Sequence, residues 1–514
     1  MFHLLDDELL GFLGAQVEPV FVHEHFHVLD PHLPRFFRDV VVDALAERMP
    51  FERNFFEPFH LFLEFDAEDL ARSLGNRSDL VEIDAGATAH AVRIAIRMRC
   101  YHEGSSKFMA LRFYNTLTQR VQPFEPLEAG VARMYTCGPT VYDYAHIGNF
   151  RTFVFYDLLR RWLHASGYRT DHVMNITDVD DKIIRNASAA GKSLRDYTDI
   201  YTEAFLSDCA TLRLERPERI ARATDHIDEM AAAIHKLEQG GHTYRSDGSI
   251  YFRIGTFKDY GKLSHNDFSG MVSGARVDVD EYEKTDARDF ALWKAPKEGE
   301  VAWDTEVGRG RPGWHIECSV MAIQFLGATL DIHAGGVDLI FPHHENEIAQ
   351  SESLTGKEFA RFWVHSEFLL VDGQKMSKSL GNFYTLRDLF GRGFSAESIR
   401  YLLASVPYRK GLNFTFDGLK SAQTAIERLR NFKFRLDSAK LADGINEQIA
   451  EHAARALKEF DESMDDDLNT AEALGAVFEF LRDANTAIDT GEFRAGNREG
   501  ALALLARFDS VFDI

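Results

Sequence analysis

Four side chains scattered along this 514-residue chain could together hold a metal ion. Cys137 and Cys318 offer thiols. His343 and Glu347, in Pro342-His343-His344-Glu345-Asn346-Glu347, offer an imidazole and a carboxylate. Two thiolates, one imidazole and one carboxylate make a reasonable tetrahedral zinc set. His343 and Glu347 stand four apart, so on a helix they project from one face. The spacing leaves His343 and His344 as alternative ligands, and buried cysteines without any metal are common.

Two further segments suit phosphate chemistry. In His146-Ile147-Gly148-Asn149 a small residue lets a nucleotide approach the backbone. A helix beginning there would present N–H donors and a positive dipole end, and His146 could donate to a phosphoryl oxygen as charge builds. In Lys375-Met376-Ser377-Lys378-Ser379-Leu380-Gly381-Asn382, two lysines on a mobile loop could bring positive charge to a triphosphate when the loop closes. Each segment alone has a plain structural explanation, a helix start or a solvated surface loop. Asp178, Asp180 and Asp181 read as a polar loop, with Mg²⁺ arriving on the nucleotide.

The elements that must position these groups alternate between strand and helix. Ala132 to Cys137 reads as a strand running into the turn Gly138-Pro139-Thr140. A helix from about Asn149 follows, with apolar Phe150, Val154, Leu158, Trp162 and Leu163 near helical spacing and a stop at Gly167. His172 to Ile176 returns as a strand, completing a βαβ unit that belongs in a parallel sheet with ligands at its carboxyl ends. The pattern resumes with a strand at Leu330 to His333, a helix near Pro342 and a strand at Phe368 to Val371. The fold expected is a Rossmann-type α/β catalytic domain with an inserted subdomain and a C-terminal helical bundle.

Residues 1–108 differ from the rest, with one lysine, Lys107, and a run Phe21-Val22-His23-Glu24-His25-Phe26-His27 whose spacing of two suits a strand face better than a metal site. Thr88 to Cys100 alternates like a strand, and Asp66 to Leu74 suits a short helix. A fresh domain is expected to open at Met109. The net charge of -23 argues against a broad basic surface that coats nucleic acid, but permits a local basic track. The 45% hydrophobic and 27% charged content is that of a globular protein with several domains. No apolar run is long enough for a membrane span, and the acidic start Asp6-Asp7-Glu8 does not suit a secretory signal. The four cysteines are too scattered for a disulfide framework. A cytoplasmic enzyme is expected.

Paired in one sheet, the histidine and lysine segments resemble the signatures of class I aminoacyl-tRNA synthetases. Longer runs resemble the cysteinyl-tRNA synthetase family in particular: Met134 to Asp143, Asn175 to Lys182, Arg311 to Ser319 and Phe341 to Glu347. The similarity runs from about residue 109 to the end. It implies zinc held by Cys137, Cys318, His343 and Glu347, and a substrate pocket lined by Thr177, Trp314 and His333. It further implies a catalytic set of His146, Asn149, Lys375 and Lys378, with Gly148, Asp338 and Lys378 at the ATP. Zinc would choose cysteine over serine by binding the thiolate, since an apolar pocket separates such near-isosteres poorly. The partners implied are ATP with Mg²⁺, L-cysteine and cysteine tRNA, for a monomeric enzyme.

The domains expected are an N-terminal extension of unknown role at 1–108, a first catalytic half at 109–190 and an inserted connective subdomain at 191–305. A second catalytic half at 306–394 carries the lysine loop, and a helical bundle at 395–514 contacts the tRNA stem. Two departures from the family pattern stand out: the N-terminal extension, and an end at Ile514 before the small anticodon-reading domain that family members usually carry. The second keeps an alternative open, the related ligase that joins cysteine to an amino sugar in mycothiol biosynthesis. A non-catalytic RNA-binding relative would show eroded ATP or metal residues, and none is eroded here.

Overall fold

The computed structural model describes residues 59–65, 92–98, 110–266, 289–297 and 299–514. The chain divides into two units, Met1–Ser106 and Lys107–Ile514. In the first, strands β1 (Phe59–Phe65) and β2 (Val92–Met98) pair antiparallel, with Phe59 opposite Met98. β2 falls inside the alternating stretch Thr88 to Cys100. The expected helix at Asp66 to Leu74 and the histidine-rich run lie outside the described residues.

The second unit opens with a hairpin, β3 (Arg112–Asn115) and β4 (Arg120–Pro123). The expected βαβ unit follows as β5 (Val131–Thr136), α1 (Ile147–Ala165) and β6 (Arg169–Ile176). His146 caps α1 through a reciprocal box: its Nδ1 accepts from the Asn149 N–H at 3.1 Å, and Asn149 Oδ1 accepts from the His146 N–H at 3.0 Å. This satisfies two backbone donors that a helix start otherwise leaves open. Phe150, Val154, Leu158, Trp162 and Leu163 are all buried, as their spacing predicts.

After α2 (Asp181–Ala189) and α3 (Leu194–Thr211), strand β7 (Arg219–Arg222) joins the edge of β6. Helix α4 (Ile227–Gln239) then leads into an antiparallel sheet of β8 (Thr243–Ser246), β9 (Ser249–Phe252), β10 (Phe290–Lys294), β11 (Trp303–Thr305) and β12 (Gly308–Pro312). Its strand order is β11-β12-β10-β9-β8. The parallel sheet resumes through α5 (Trp314–Leu326), β13 (Leu330–Gly336), α6 (Glu345–Thr355) and β14 (Ala360–Ser366). Five parallel strands therefore lie in the order β14-β13-β5-β6-β7. Every residue of β13 is buried, as expected for a strand covered on both faces.

A small sheet of β15 (Leu369–Val371), β16 (Gln374–Lys375) and β17 (Leu412–Phe414) carries the lysine loop, with α7 (Leu386–Gly391) and α8 (Ala396–Ala404) between β16 and β17. Helices α9 (Phe416–Ser438), α10 (Glu447–Asp465), α11 (Thr470–Thr490) and α12 (Arg498–Phe512) complete the bundle. One apolar core runs from α1 into these helices, including Trp162, Phe460, Phe508 and Phe512.

A buried charge pair crosses the same seam. Arg400 of α8 donates to Asp157 of α1 at 2.5 Å, both 1% exposed, and also to the carbonyls of Phe512 at 2.5 Å and Leu212 at 3.0 Å. Removing one partner of such a pair strands the other charge away from water. Arg400→Met is expected to cost about 3–5 kcal/mol, read as a drop in unfolding free energy by chemical denaturation. A loss under 1 kcal/mol would show that Arg161, which also binds Asp157 at 2.9 Å, compensates.

A candidate active site at the carboxyl ends of the parallel strands

Cys137 follows the last residue of β5, and Cys318 lies in the second turn of α5. His343 sits in the turn before α6, and Glu347 in the first turn of α6. Their ligand atoms all lie within 4.8 Å of one another, and all four side chains are buried. A second grouping of Cys137, His333, His344 and Glu347 meets the same limit. There, His344 is engaged on both ring nitrogens, with Cys137 Sγ at 3.3 Å and His365 Nε2 at 2.8 Å. His333 supports the opposite oxygen of Glu347, Nε2 to Oε2 at 2.8 Å, while His343 Nε2 meets Oε1 at 2.9 Å.

The charge balance distinguishes the two. Burial tends to raise the Cys318 thiol, but hydrogen bonding to Cys137 and His343 outweighs it and brings it to about 6. Burial likewise tends to raise Glu347, yet His333 and His343 hold it at about 2. Burial works against a charged His343, but Glu347 and Cys318 lift it to about 10. His344 is pushed well below its ordinary value, by burial first and then by neighbouring histidines. Cys318 and Glu347 thus carry negative charge beside a protonated His343, while burial and Cys318 push the Cys137 thiol up, so a metal ion bound here would displace those protons. Cys137, Cys318, His343 and Glu347 fit zinc in donor type and in charge.

Around this cluster stand the other expected pocket residues. The Trp314 ring lies 4.1 Å from the His343 ring. Thr177, buried just after β6, donates to Glu317 Oε2 at 3.0 Å and accepts from Asn175 Nδ2 at 3.2 Å. His333 is fully buried, stacked on Trp363 at 4.5 Å. Gly138 shapes the floor. Its N–H donates to Asn175 Oδ1 at 2.8 Å, and an added Cβ would stand 1.7 Å from the Asn175 carbonyl oxygen. Gly138→Ala must push β5 and β6 apart beside Cys137. Misplacement by about 1 Å can cost on the order of 100-fold in rate, and that loss is the expected result in the cysteine-dependent ATP–pyrophosphate exchange that the sequence resemblance implies. Wild-type exchange would show that the strand ends are not rigidly coupled to the chemistry.

The histidine and lysine segments meet. A Cβ on Gly148 would lie 2.8 Å from the Met376 methyl and 3.0 Å from the His146 ring, so the lysine loop packs directly on the start of α1. The Ile147 N–H donates to the Tyr384 carbonyl at 3.0 Å, and the His146 ring stands 4.9 Å from Phe383. Asn382 closes the loop, accepting from the Ser377 N–H at 2.8 Å and donating to the Lys375 carbonyl at 3.3 Å. Lys375 ends β16, exposed, and Lys378 opens the turn Lys378–Leu380. Asp338 lies just beyond β13, where its Oδ1 would be 2.4 Å from a Cβ on Gly336. The three aspartates have structural partners: Asp178 accepts from Thr224, Asp180 caps α2, and Asp181 pairs with Lys294 and Arg311.

Residues 123–424 match the model of the tRNA synthetases class I (C) catalytic domain, and residues 459–514 match the DALR domain. A cysteine–tRNA ligase of Solibacter usitatus is 70% identical over 406 residues, 79% of this chain and 87% of that protein. The chain belongs to the cysteine–tRNA ligase family. A second cysteine–tRNA ligase, from Koribacter versatilis, is 59% identical over 407 residues, 79% of this chain and 82% of that one. Among solved structures, a Mycobacterium tuberculosis methionyl-tRNA synthetase with methionyl-adenylate superposes with a TM-score of 0.57 over 74% of this chain and 92% of its own. At 15% identity that likeness shows the class I fold alone.

Several groups packed into this cysteine–tRNA ligase site were not singled out by sequence reasoning. Glu317 is fully buried with its carboxyl pushed well up, by burial first and by Cys318 next. His315 Nδ1 lies 2.8 Å from His343 Nδ1. His365, from β14, supports His344 and lies 2.7 Å from Thr116 Oγ1. Glu317 and His315 flank Cys318 and Trp314 in one helical turn, so helical spacing from the candidate ligand is a signal that could have found them. His365 comes from a distant strand, and no local spacing points to it.

Proposed function

We propose that this chain is a cysteine–tRNA ligase that activates L-cysteine with ATP and transfers it to the 3′ end of cysteine tRNA, working as a cytoplasmic monomer. The observation that carries the reading is a buried two-thiol cluster at the ends of the parallel strands, beside a start of α1 on which the lysine loop of the small sheet packs. Cys137, Cys318, His343 and Glu347 would hold zinc, and Mg²⁺ would come with the ATP. Zinc bound there supplies a soft centre that favours a substrate thiolate over a hydroxyl.

The chain's own groups then divide the work. Thr177, Trp314 and His333 orient the amino acid so that its carboxylate faces the nucleotide. Gly148 admits the nucleotide to the start of α1, whose positive dipole end favours phosphate. His146 and Asn149, with Lys375 and Lys378 from the loop and Asp338 at the nucleotide, position ATP and stabilise charge as the carboxylate attacks the α-phosphorus in line. The curated relatives named as cysteine–tRNA ligases and the DALR match support this reading over the amino-sugar ligase. No helix among the described residues is long and apolar enough to cross a membrane.

The direct test is transfer of labelled cysteine to cysteine tRNA with ATP, against Lys378→Ala. Charging that falls at least about 100-fold in the variant is expected for a lysine stabilising transferring phosphate. Cysteine adenylation with transfer to an amino sugar and not to tRNA would overturn the reading.

A further inference from the structure

Glu345 opens α6 between His343 and Glu347, two of the four candidate metal ligands, and its side chain is fully buried. Both of its oxygens are taken by one loop that follows β9. Oε1 accepts from the Gly261 N–H at 2.8 Å, and Oε2 accepts from the N–H groups of Leu263 at 3.2 Å and Ser264 at 2.8 Å. The same loop grips α6 twice more. The Tyr260 hydroxyl donates to Asn346 Oδ1 at 2.5 Å, and Lys262 Nζ donates to Glu352 at 2.6 Å.

The loop's own residues make this convergence possible. Gly261 has φ of +101°, a conformation that an L side chain adopts only with strain. A run of backbone N–H groups turned inward makes a cradle for an anion. The Leu263 side chain is fully buried in the apolar core that also holds Cys137, Cys318 and Ile348 of α6. Hydrogen bonds to a charged group are about twice as strong as neutral ones, and each buried donor left without its acceptor costs free energy. The tie between loop and helix is therefore firm.

We propose that Glu345 is a positioning residue for the metal cluster, locking the start of α6 onto residues 261–264 and so setting how tightly zinc is held. The proposal rests on the assignment of zinc to Cys137, Cys318, His343 and Glu347. With both oxygens spent on the loop, Glu345 acts on the cluster through the backbone it shares with two of those ligands. His343 precedes the helix and Glu347 lies in its first turn, with Nε2 and Oε1 2.9 Å apart. A slip of the helix start moves one ligand against the other.

The experiment measures the zinc dissociation constant of the full chain by competition with a fluorescent chelator. Glu345→Gln keeps the size of the side chain but puts an amide donor where one acceptor oxygen stood. It is expected to weaken zinc binding about tenfold, the low end of what groups supporting a ligand contribute. Gly261→Ala leaves Glu345 in place and strains the loop that meets it, and should weaken zinc binding in the same direction. Arg400→Met, at the seam between α1 and the bundle, lowers stability and should leave the dissociation constant unchanged. Zinc held by Glu345→Gln as tightly as by the unaltered chain would overturn the proposal. If that variant does not fold, the same result for Gly261→Ala overturns it. Equal weakening in Arg400→Met would overturn it too, since Glu345 would then contribute only to general stability. An unaltered chain that binds no zinc would overturn the metal assignment itself, and the proposal with it.

Discussion

Cys318→Ser should leave a folded chain that no longer retains stoichiometric zinc and activates cysteine poorly. The substitution is nearly isosteric, so packing around the 1% exposed side chain changes little. What it removes is one of two thiols in a cluster whose ligand atoms lie within 4.8 Å of one another. A serine hydroxyl does not ionise near pH 7, whereas the Cys318 thiol sits at about 6. Groups that merely support a ligand cost 10–100-fold in metal affinity when lost, so a direct ligand is expected to cost more than about 100-fold. Zinc content by elemental analysis and ATP–pyrophosphate exchange with cysteine should fall together. Cys209→Ser, remote from the cluster, should leave zinc content unchanged. Full zinc content in Cys318→Ser would transfer the metal to the His333–His344 grouping and overturn the assignment.

The second large effect separates capping from catalysis at one residue. His146 caps α1 with Nδ1 and is also the residue assigned to phosphate. Asparagine is among the best N-cap residues, so His146→Asn should keep the helix start while removing the imidazole. The expected outcome is a fall in kcat for cysteine activation of about 100- to 1000-fold with an unchanged melting temperature. His146→Ala, lacking both roles, should lower activity and cost about 1 kcal/mol of stability as well. If His146→Asn keeps full activity and only His146→Ala loses it, the histidine serves the helix and not the phosphate.

The parts of this molecule legible in the sequence are those where local pattern and long-range role coincide. Helix α1 could be read because its cap, its apolar spacing and its stop at Gly167 all fall within a short stretch. The strands that carry Cys137, Thr177 and His333 were legible for the same reason. The choice between His343 and His344 was not. Adjacent residues on a helix point in different directions, and only the placement of Cys318 and His365, from two other elements, shows which ring faces which partner. Sheet membership was equally hidden for β7, whose four residues carry no mark of whether they pair with β6 or with the antiparallel strands. The contact of Met376 with Gly148 depends on how a distant loop folds back, which the spacing of neither segment contains.

The Arg400–Asp157 pair has a consequence for how the molecule comes apart. The guanidinium belongs to the helices after the lysine loop, yet its carboxylate partner belongs to α1, and its remaining donors go to carbonyls near the end of the chain and after α3. Opening the bundle alone would break this pair and uncover the apolar core that α1 shares with the bundle helices. The open state would then sit close in free energy to complete unfolding. Amides of α1 and of α12 are therefore expected to exchange with solvent in one shared event, so that bundle and sheet form a single cooperative foldon.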